Sequence, residues 1–438
     1  MSITTLSQTA ALPVEARLAM QQVNPARFMD MLQRLATFGA VPGGGVAREA
    51  LTISELEARR WLCSRFSAPH YRWYMDDAAN LFLRRAGLAD ALTPVMTGSH
   101  IDTQPVGGWL DGAYGVVAGM ELFLALDDAG IRTQRPLELV IWTNEEGSRF
   151  SPGAMGSSAF ADPTRLADFL PVTDAGGERF EQARDAARQA TPAATSRALG
   201  RPVHAYLEAH IEQGPVLEDG GFQLGIVTGI QGVRWFEISV TGVSAHAGTT
   251  PLAARHDALM SAAQLISRLG EMAAARQDPA LRFTVGRLEV SPGSINTIAD
   301  RVTFTIDLRH PEEAVLAEME ALIRQTVEAK TGACGYALRS LMRRPPTRFD
   351  KAVIETVAAA VSATGAPACR LGSGAFHDAM YLADVCPTAM LFVPSHKGIS
   401  HNPAEDTAEA DLVAGVRALA GAVITLATPA NALQSTPN

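Results

Sequence analysis

Histidine and carboxylate side chains recur in this sequence directly after short apolar runs that are typical of buried strands. His100 follows the run TPVMTG at residues 93–98, and Asp111 lies eleven residues later in a glycine-rich stretch. Imidazole and carboxylate groups are common ligands of divalent metal ions. Because open α/β sheets bind their ligands beyond the carboxyl ends of strands, the pattern predicts metal ligands at such an edge. A polar loop with an N-capping aspartate is the alternative interpretation.

Two adjacent acids, Glu145 and Glu146, follow the next apolar run, LELVIW at residues 137–142. Two carboxylates at a buried strand end repel each other, and a nearby cation relieves that repulsion. One of them can then bind the ion while its neighbour serves as a general base. The alternative is an exposed loop with two solvated acids.

The same arrangement occurs twice more along the chain. His210 follows the strand candidate at 203–209, and the loop PSHKGISHNPAE at 394–405 follows the strand candidate at 388–393. In that loop His401 is the better ligand candidate than His396, because the residues around it form a tight turn. A lone histidine after a strand is more often structural, but four strand ends that converge favour a shared site. Five ligands are too many for one open zinc position, so the sequence predicts two ions held by His100, Asp111, Glu146, His210 and His401.

The elements that must position these residues form two patterns. Residues 93–142 suggest a strand, a helix over 112–130 and a second strand, which predicts a mostly parallel sheet covered by helices. Residues 230–344 instead have the order β-α-β-β-α-β of a ferredoxin-like unit. Its strands are expected at 233–241, 281–290, 301–309 and 335–341, and its helices at 251–270 and 311–330.

The expected fold is therefore α/β, with two domains. Residues 1–229 and 345–438 would form a catalytic domain with a mostly parallel sheet, and residues 230–344 an inserted ferredoxin-like domain. Because the small sheet of such a domain has exposed edges, we expect it to pair with a second copy as a dimerisation domain.

The bulk composition excludes several classes of function. A net charge of −9 and a pI of about 5.6 argue against a nucleic-acid or anionic-membrane surface, although one arginine can still bind a small anion. The four cysteines contain no CxxC pair, which fits a reducing compartment. No signal peptide is recognisable, and no uninterrupted apolar stretch approaches the roughly 20 residues that span a bilayer. A cytoplasmic protein without membrane contact is expected.

The motifs around these residues resemble one known family. GSHIDT, GGWLDGAYGV, NEEGSRF, LEAHIEQGP, SAHAGTTP, SINTI, IDLR and GISHNPAE are similar to those of the hydantoinase/carbamoylase amidases, in the dinuclear zinc peptidase clan. The match runs in order from about residue 40 to about residue 410. The resemblance implies hydrolysis of a linear amide or ureido C–N bond next to a carboxylate. It also implies two divalent ions per subunit, with zinc expected and manganese, cobalt or nickel compatible with the same ligands.

The resemblance also implies roles for individual residues. His100, Asp111 and His401 would hold one ion, Glu146 and His210 would complete the other, and Asp111 would bridge both. Glu145 would be the general base, and Asp102 would orient His100 through its far ring nitrogen. Substrate contacts are implied for Gln213, His246, Asn296 and Arg309, with His246 also catalytic. In family members, the residues that correspond to His246 and Asn296 reach the active site of a partner subunit, so a homodimer is implied.

Two of these residues also have a purely structural interpretation. Arg309 suits a substrate carboxylate because its guanidinium forms a bidentate fork, but it could also be a strand-end arginine paired with a surface acid. His246 could simply be a turn residue before Gly248. One departure from the family is Phe376, where many members have glycine, which changes the space beside the substrate. The neighbouring His377 is expected either to contact substrate or to cap its loop.

The expected substrate is an N-carbamoyl-L-amino acid, and allantoate is the closest alternative. Beta-ureidopropionase and aminoacylase or dipeptidase activities are weaker alternatives on the same machinery. A binding protein that has lost activity on this fold must also be weighed. The presence of Glu145 together with all five ligand positions argues against that interpretation.

Overall fold

The computed structural model describes residues 12–191, 193–329 and 333–428. The chain forms two compact units, one containing the residues up to Gly229 and those from Arg348 onward, the other Ile230–Thr347. The strands are β1 (Tyr71–Met75), β2 (Leu81–Arg85), β3 (Val95–His100), β4 (Leu137–Trp142), β5 (Thr195–Ser196), β6 (Ala205–Ile211), β7 (Leu224–Ile230), β8 (Gly232–Thr241), β9 (Ala245–His246), β10 (Arg282–Thr284), β11 (Leu288–Ser291), β12 (Thr297–Ile298), β13 (Arg301–His310), β14 (Gly335–Arg344), β15 (Thr347–Arg348), β16 (Ala368–Ser373) and β17 (Thr388–Val393). The α-helices are α1 (Val14–Gln22), α2 (Pro25–Ala36), α3 (Ile53–Ser64), α4 (Ala113–Asp128), α5 (Met155–Ala161), α6 (Leu166–Phe169), α7 (Phe180–Ala190), α8 (Val216–Gly220), α9 (Ala258–Ala275), α10 (Glu313–Glu328), α11 (Lys351–Thr364), α12 (Ala379–Leu382) and α13 (Glu409–Ala427).

The larger unit is built on a ten-stranded sheet in the order β15-β7-β17-β6-β3-β4-β2-β1-β5, with β16 also paired to β7. Its central strands β17, β6, β3 and β4 are parallel to one another. Strands β7, β2 and β1 pair antiparallel on either side of that centre. The fold is therefore mixed α/β, and the expected mostly parallel sheet is confirmed.

Complete burial explains why the central strands are continuous apolar runs. Every residue of β4 and of β17 is buried, as expected for parallel strands that are covered on both faces. Helix α4 packs on β3, β4 and β6, and α13 packs on α1, α4 and α11. By length and composition α13 could cross a membrane, but 67% of its most apolar window is buried inside the unit. Helix α13 is therefore a core helix of the larger unit, with most of its apolar surface buried.

The smaller unit has an antiparallel sheet in the order β10-β13-β8-β14, with β11 also paired to β13. Apart from the short strands β9 and β12, the chain order is β8-α9-β10-β11-β13-α10-β14, which corresponds to the βαββαβ arrangement with β10 and β11 in the place of one strand. Alternate residues of β8 and β13 point to one face, which α9 and α10 cover. The resulting core includes Phe236, Ile238, Val240, Phe304, Ile306, Leu269, Leu316 and Ile323.

Two predicted elements of this unit differ from the structure. The helix predicted over 251–270 begins at Ala258, because the Asp257 side chain accepts hydrogen bonds from the N–H groups of Leu259 and Met260 and caps it there. The strand predicted over 281–290 is divided into β10 and β11, which pair separately with β13.

Candidate metal centre

The predicted ligands lie at the carboxyl ends of the parallel strands of the larger unit. His100 is the last residue of β3, His210 lies near the end of β6, and Glu146 follows β4 by four residues. His401 lies in the loop between β17 and α13, and Asp111 lies just before α4. Neighbouring parallel strands end at the same edge of a sheet, so these side chains, far apart along the chain, meet there.

Asp111 is at the centre of this cluster, and its two carboxylate oxygens face different partners. The Oδ1 atom is 3.2 Å from Nε2 of His210 and 3.6 Å from Nε2 of His100. The Oδ2 atom is 3.3 Å from Nε2 of His401, which is also 3.3 Å from Oε2 of Glu146. The cluster therefore consists of two groups that share Asp111.

These distances fit divalent ions. Two ligand atoms that each lie about 2.1 Å from one tetrahedral ion are separated by about 3.4 Å. The imidazole hydrogen bonds agree, because Nδ1 of His100 is 2.9 Å from the Asp102 carbonyl oxygen and Nδ1 of His210 is 2.9 Å from the Ile211 carbonyl oxygen. Each Nδ1–H therefore donates to a carbonyl, so that Nε2 faces Asp111, where it can bind an ion or, without one, carry a proton.

The grouping of the ligands differs from the pairing that the resemblance implied. His100 and His210 share one oxygen of Asp111, and Glu146 and His401 lie on the side of the other oxygen. The expected sets, His401 with His100 and His210 with Glu146, do not correspond to these distances. Asp111 belongs to both groups, and its role as a bridging ligand remains a prediction.

A glycine makes room for the cluster at the start of α4. Gly112 has φ +63, and a Cβ atom at this position would clash with the His100 imidazole. Both the left-handed backbone and the missing side chain are therefore needed here.

Asp102 lies between the two strand ends that carry His100 and Glu146. Its carboxylate accepts hydrogen bonds from the backbone N–H groups of Glu145, at 3.2 Å, and of Glu146, at 3.1 Å. Its Oδ1 is 3.6 Å from Nδ1 of His100, whereas its backbone carbonyl oxygen is only 2.9 Å away. The backbone of Asp102 is thus the closer partner of His100, and the carboxylate fixes the loop that carries both glutamates.

The charges of the site shift the pKa values of its members strongly. Burial, together with the nearby carboxylates of Asp378 and Glu146, raises the pKa of Glu145 well above its usual range. Burial opposes ionisation of Asp111, but hydrogen bonds from His100, His210 and His401 hold the pKa of that carboxyl well below its usual value. Burial likewise disfavours a charged His100, but Glu145 and other carboxylates raise its pKa well above the ordinary value. A field that favours protonated imidazoles beside Asp111 also favours a divalent cation there.

Glu145 is placed beside this cluster without belonging to either ligand group. Its side chain is 8% exposed, and Oε2 is 3.6 Å from Nε2 of His100. Burial and a raised pKa make the Glu145 carboxylate a stronger base than an exposed glutamate, which suits a general base.

Two predicted substrate residues also belong to the larger unit. Gln213 donates from Nε2 to Oδ2 of Asp111, at 2.8 Å, and its buried Oε1 has no hydrogen-bond partner among the residues that the structure describes. His377 is buried, its ring packs edge-on against His210, and its Nε2 is 3.0 Å from the Ser373 hydroxyl. Burial and the neighbouring His210 lower the pKa of His377 well below the ordinary value, so it stays neutral.

The other predicted substrate residues lie in the smaller unit. His246 on β9 pairs with Thr297 on β12, and the backbone carbonyl of Asn296 accepts from the N–H of Ala247, so His246 and Asn296 are neighbours. Both side chains are exposed. Arg309 forms a two-pronged ion pair with Asp307, with distances of 2.9 and 2.8 Å.

Three side chains at the site had no role in the sequence prediction. Gln104 donates to Oε2 of Glu146 at 2.7 Å, and the Ser400 hydroxyl donates to Oδ2 of Asp111 at 3.0 Å. Glu405 accepts hydrogen bonds from the backbone N–H groups of Leu110 and Asp111. Only their position in the sequence could have indicated these three residues, since each lies within four residues of a predicted site residue. His396 lies apart, in an ion pair with Glu218 at 2.8 Å.

The chain is similar to known proteins along most of its length. The model of peptidase family M20/M25/M40 matches residues 96–425. An N-carbamoyl-L-amino-acid amidohydrolase of Rhizobium meliloti is 36% identical over 406 residues, which cover 92% of this chain and 97% of that protein. The allantoate amidohydrolase of Escherichia coli (strain K12) is 35% identical over 400 residues, covering 89% and 95%. A crystal structure of an amidase of the hydantoinase/carbamoylase family from Burkholderia vietnamiensis is 41% identical, with a TM-score of 0.84 and coverage of 93% and 98%.

Proposed function

The chain belongs to the hydantoinase/carbamoylase amidases of peptidase family M20/M25/M40, and from this premise we propose that its substrate is an N-carbamoyl-L-amino acid. It is a hydrolase that acts on C–N bonds. The proposed reaction consumes one water and yields the amino acid, carbon dioxide and ammonia. The observation that carries the proposal is the cluster of imidazoles and carboxylates around Asp111 with the buried Glu145 beside it.

We propose that two divalent ions, zinc in the first instance, occupy this centre. His100 and His210 would hold one ion, Glu146 and His401 the other, and Asp111 would bridge them. Manganese, cobalt or nickel are alternatives because imidazole and carboxylate ligands accept them all. When bound, the ions supply Lewis acidity, which makes water a nucleophile at neutral pH.

The residues of the chain then provide the proton transfers and the orientation of the substrate. Water attacks the carbamoyl carbon, and Glu145 accepts a proton from that water and delivers it to the leaving nitrogen. Asp102 holds the loop of Glu145 through two backbone hydrogen bonds. The amide oxygen of Gln213, which has no partner within the described part of the chain, is suited to accept from a ureido N–H of the substrate. We assign the substrate carbonyl to His246 and Asn296, and the substrate carboxylate to Arg309.

Allantoate is the second candidate, because a relative of similar identity is an allantoate amidohydrolase. A panel assay with zinc- or manganese-loaded enzyme separates the alternatives. It should include N-carbamoyl-L- and D-amino acids, N-carbamoyl-beta-alanine, allantoate and N-acetyl amino acids. We expect the highest kcat/KM for an N-carbamoyl-L-amino acid and loss of turnover on chelation. A higher kcat/KM for allantoate would transfer the proposal to that substrate, and hydrolysis of none would refute it.

We propose further that the enzyme is a homodimer in which His246 serves the partner subunit. His246→Ala and Glu145→Gln should each be inactive alone. Mixed dimers should regain activity, because one site then combines an intact Glu145 with an intact His246. His256→Ala, which changes an exposed histidine of the same unit, is the control and should keep full activity. Subunit exchange shown by native mass spectrometry without recovery of activity would rule out the shared site.

A cytoplasmic location is also proposed. All four cysteines of the chain, Cys63, Cys334, Cys369 and Cys386, are free thiols, as expected for a protein of a reducing compartment.

A further inference from the structure

We propose that Glu405 is a positioning residue that sets the ion position formed by Glu146 and His401, an inference that rests on the two-ion centre of the proposed function. Glu405 is not one of the residues that surround Asp111 as ligand candidates. Its side chain instead connects the loop that carries His401 with the loop that carries Asp111.

The carboxylate of Glu405 is buried, with the residue 2% exposed, and has three polar partners within hydrogen-bond distance. Its Oε1 accepts from the backbone N–H groups of Leu110, at 2.8 Å, and of Asp111, at 3.1 Å. Its Oε2 is 3.0 Å from the Ser400 hydroxyl, which is also 3.0 Å from Oδ2 of Asp111. One side chain thus links the bridging ligand to the residue that precedes His401.

Further contacts fix the same connection. The indole N–H of Trp109 donates to the backbone carbonyl of Glu405 at 3.2 Å. A Cβ atom at Gly108 would clash with the Glu405 carboxylate, so glycine leaves the space that this carboxylate needs. Residues 108–111 are therefore shaped around Glu405 although nearly 300 residues separate them along the chain.

The two ion positions depend on this connection to different degrees. His100 and His210 lie on strands β3 and β6, are each 1% exposed, and are held by the sheet. His401 lies in a loop, has φ +54, and has a side chain that is 49% exposed. A left-handed conformation in a non-glycine residue is disfavoured unless its surroundings impose it. Loss of the Glu405 contacts should therefore displace His401 and Oδ2 of Asp111, and leave the His100 and His210 position largely intact.

Length and charge of the side chain can be varied separately to test this role. In Glu405→Gln the amide oxygen can accept from both backbone N–H groups, and the amide N–H can donate to Ser400. In Glu405→Asp the charge is kept, but the carboxylate is withdrawn by one methylene and cannot make all three contacts. A positioning role therefore predicts that Glu405→Gln behaves like the wild type and that Glu405→Asp behaves like Glu405→Ala.

The experiment is a zinc titration of the full chain after chelation, with a chromophoric zinc chelator as competitor and elemental analysis of ions per chain after dialysis. Wild-type protein should bind two zinc ions. We expect Glu405→Ala and Glu405→Asp to bind the weaker ion about 10- to 100-fold less tightly, the usual effect of losing an outer partner of a metal ligand. The stronger ion should change by less than about threefold, and Glu405→Gln should stay within about threefold of wild type for both.

Glu409→Ala, which removes an exposed acid four residues away, is the matched control and should bind both ions normally. Circular dichroism of the metal-free proteins checks folding; if Glu405→Ala fails to fold, the comparison of the Gln and Asp variants still decides. Unchanged zinc affinity in Glu405→Asp, or equal weakening of both ions, would overturn the proposal. Because zinc binding is read without substrate, a wild-type protein that binds two ions but hydrolyses no carbamoyl compound would refute the function and leave this inference standing.

Discussion

The stability of the metal-free protein should fall as pH rises from 5 to 8. Burial raises the pKa of Glu146 from 4.5 to about 7, with the charge of Asp111 adding to the effect. Between these two pH values the folded protein keeps a proton on Glu146 that the unfolded chain has released. Where the folded state binds more protons than the unfolded state, the free energy of unfolding falls with rising pH. Raising the pH through this window therefore removes stability.

The size of the effect can be worked out for Glu146. A shift from 4.5 to about 7 corresponds to about 3 kcal/mol of unfolding free energy, fully lost once the pH exceeds the folded-state pKa. Burial raises the pKa of Glu405 to about 7 as well, and His401, whose pKa its hydrogen bond to Asp111 raises to about 9, acts in the same direction. The pKa of Asp111 is lowered, so its contribution changes only below its ordinary value of 3.8, outside this window.

Urea unfolding of chelator-treated protein at pH 5, 6, 7 and 8 measures this dependence. Glu146→Gln keeps an oxygen that can accept from Gln104 but no longer titrates, so it should lose about 2 kcal/mol of the decline between pH 5 and 7. Zinc should restore more stability at pH 8 than at pH 5, because protons compete with the ion for Glu146 and His401. A metal-free wild type whose stability is constant or rises over this range, or an unchanged slope in Glu146→Gln, would refute the reasoning.

Three further outcomes are expected. Glu145→Gln should keep both ions by elemental analysis while kcat falls at least about 100-fold, the scale of losing a general base; near wild-type turnover would remove Glu145 from that role. Gly112→Ala should weaken zinc binding about 10-fold or more in a competition titration, because its Cβ clashes with His100, and unaltered affinity would contradict the close packing. Arg59→Met should cost about 3–5 kcal/mol in urea unfolding, because it leaves the buried Glu55, now 2.6 Å from Arg59, without its partner; a loss under about 1 kcal/mol would argue against a buried ion pair.

The sequence predicted the central strands well because their burial is complete. The runs at 137–142 and 388–393 coincide with β4 and β17, where an uninterrupted apolar stretch has only one stable environment, a strand covered on both faces. The helix predicted over 251–270 began seven residues early because Pro251 is a favourable first helical residue, whereas the Asp257 cap decides the start. Local preference was therefore reliable where burial supported it and failed where two start signals competed.

The partners of Asp111 could not be predicted in the same way. Ligand type follows from residue identity and position after a strand, but pairing depends on which strands lie side by side. The order β17-β6-β3-β4 results from long-range pairing, such as Met390 with Glu208 and Thr97 with Leu207, that no local pattern contains. The same is true of Glu405, whose hydrogen bonds to Leu110 and Asp111 join residues about 295 positions apart.

The sheet order explains why the two proposed ion positions differ in how they are held. The inner strands β6 and β3 lie side by side and carry His210 and His100. The imidazoles of these two residues therefore lie next to the same oxygen of Asp111. The outer strands β17 and β4 lie on either side of that pair, so Glu146 and His401 must reach toward each other through loops to meet at the other oxygen. The inner position is thus formed by the sheet itself, whereas the outer position depends on loop contacts such as those of Gln104, Ser400 and Glu405. If the proposed ion binds at the outer position, we expect part of its binding free energy to be used to order these loops.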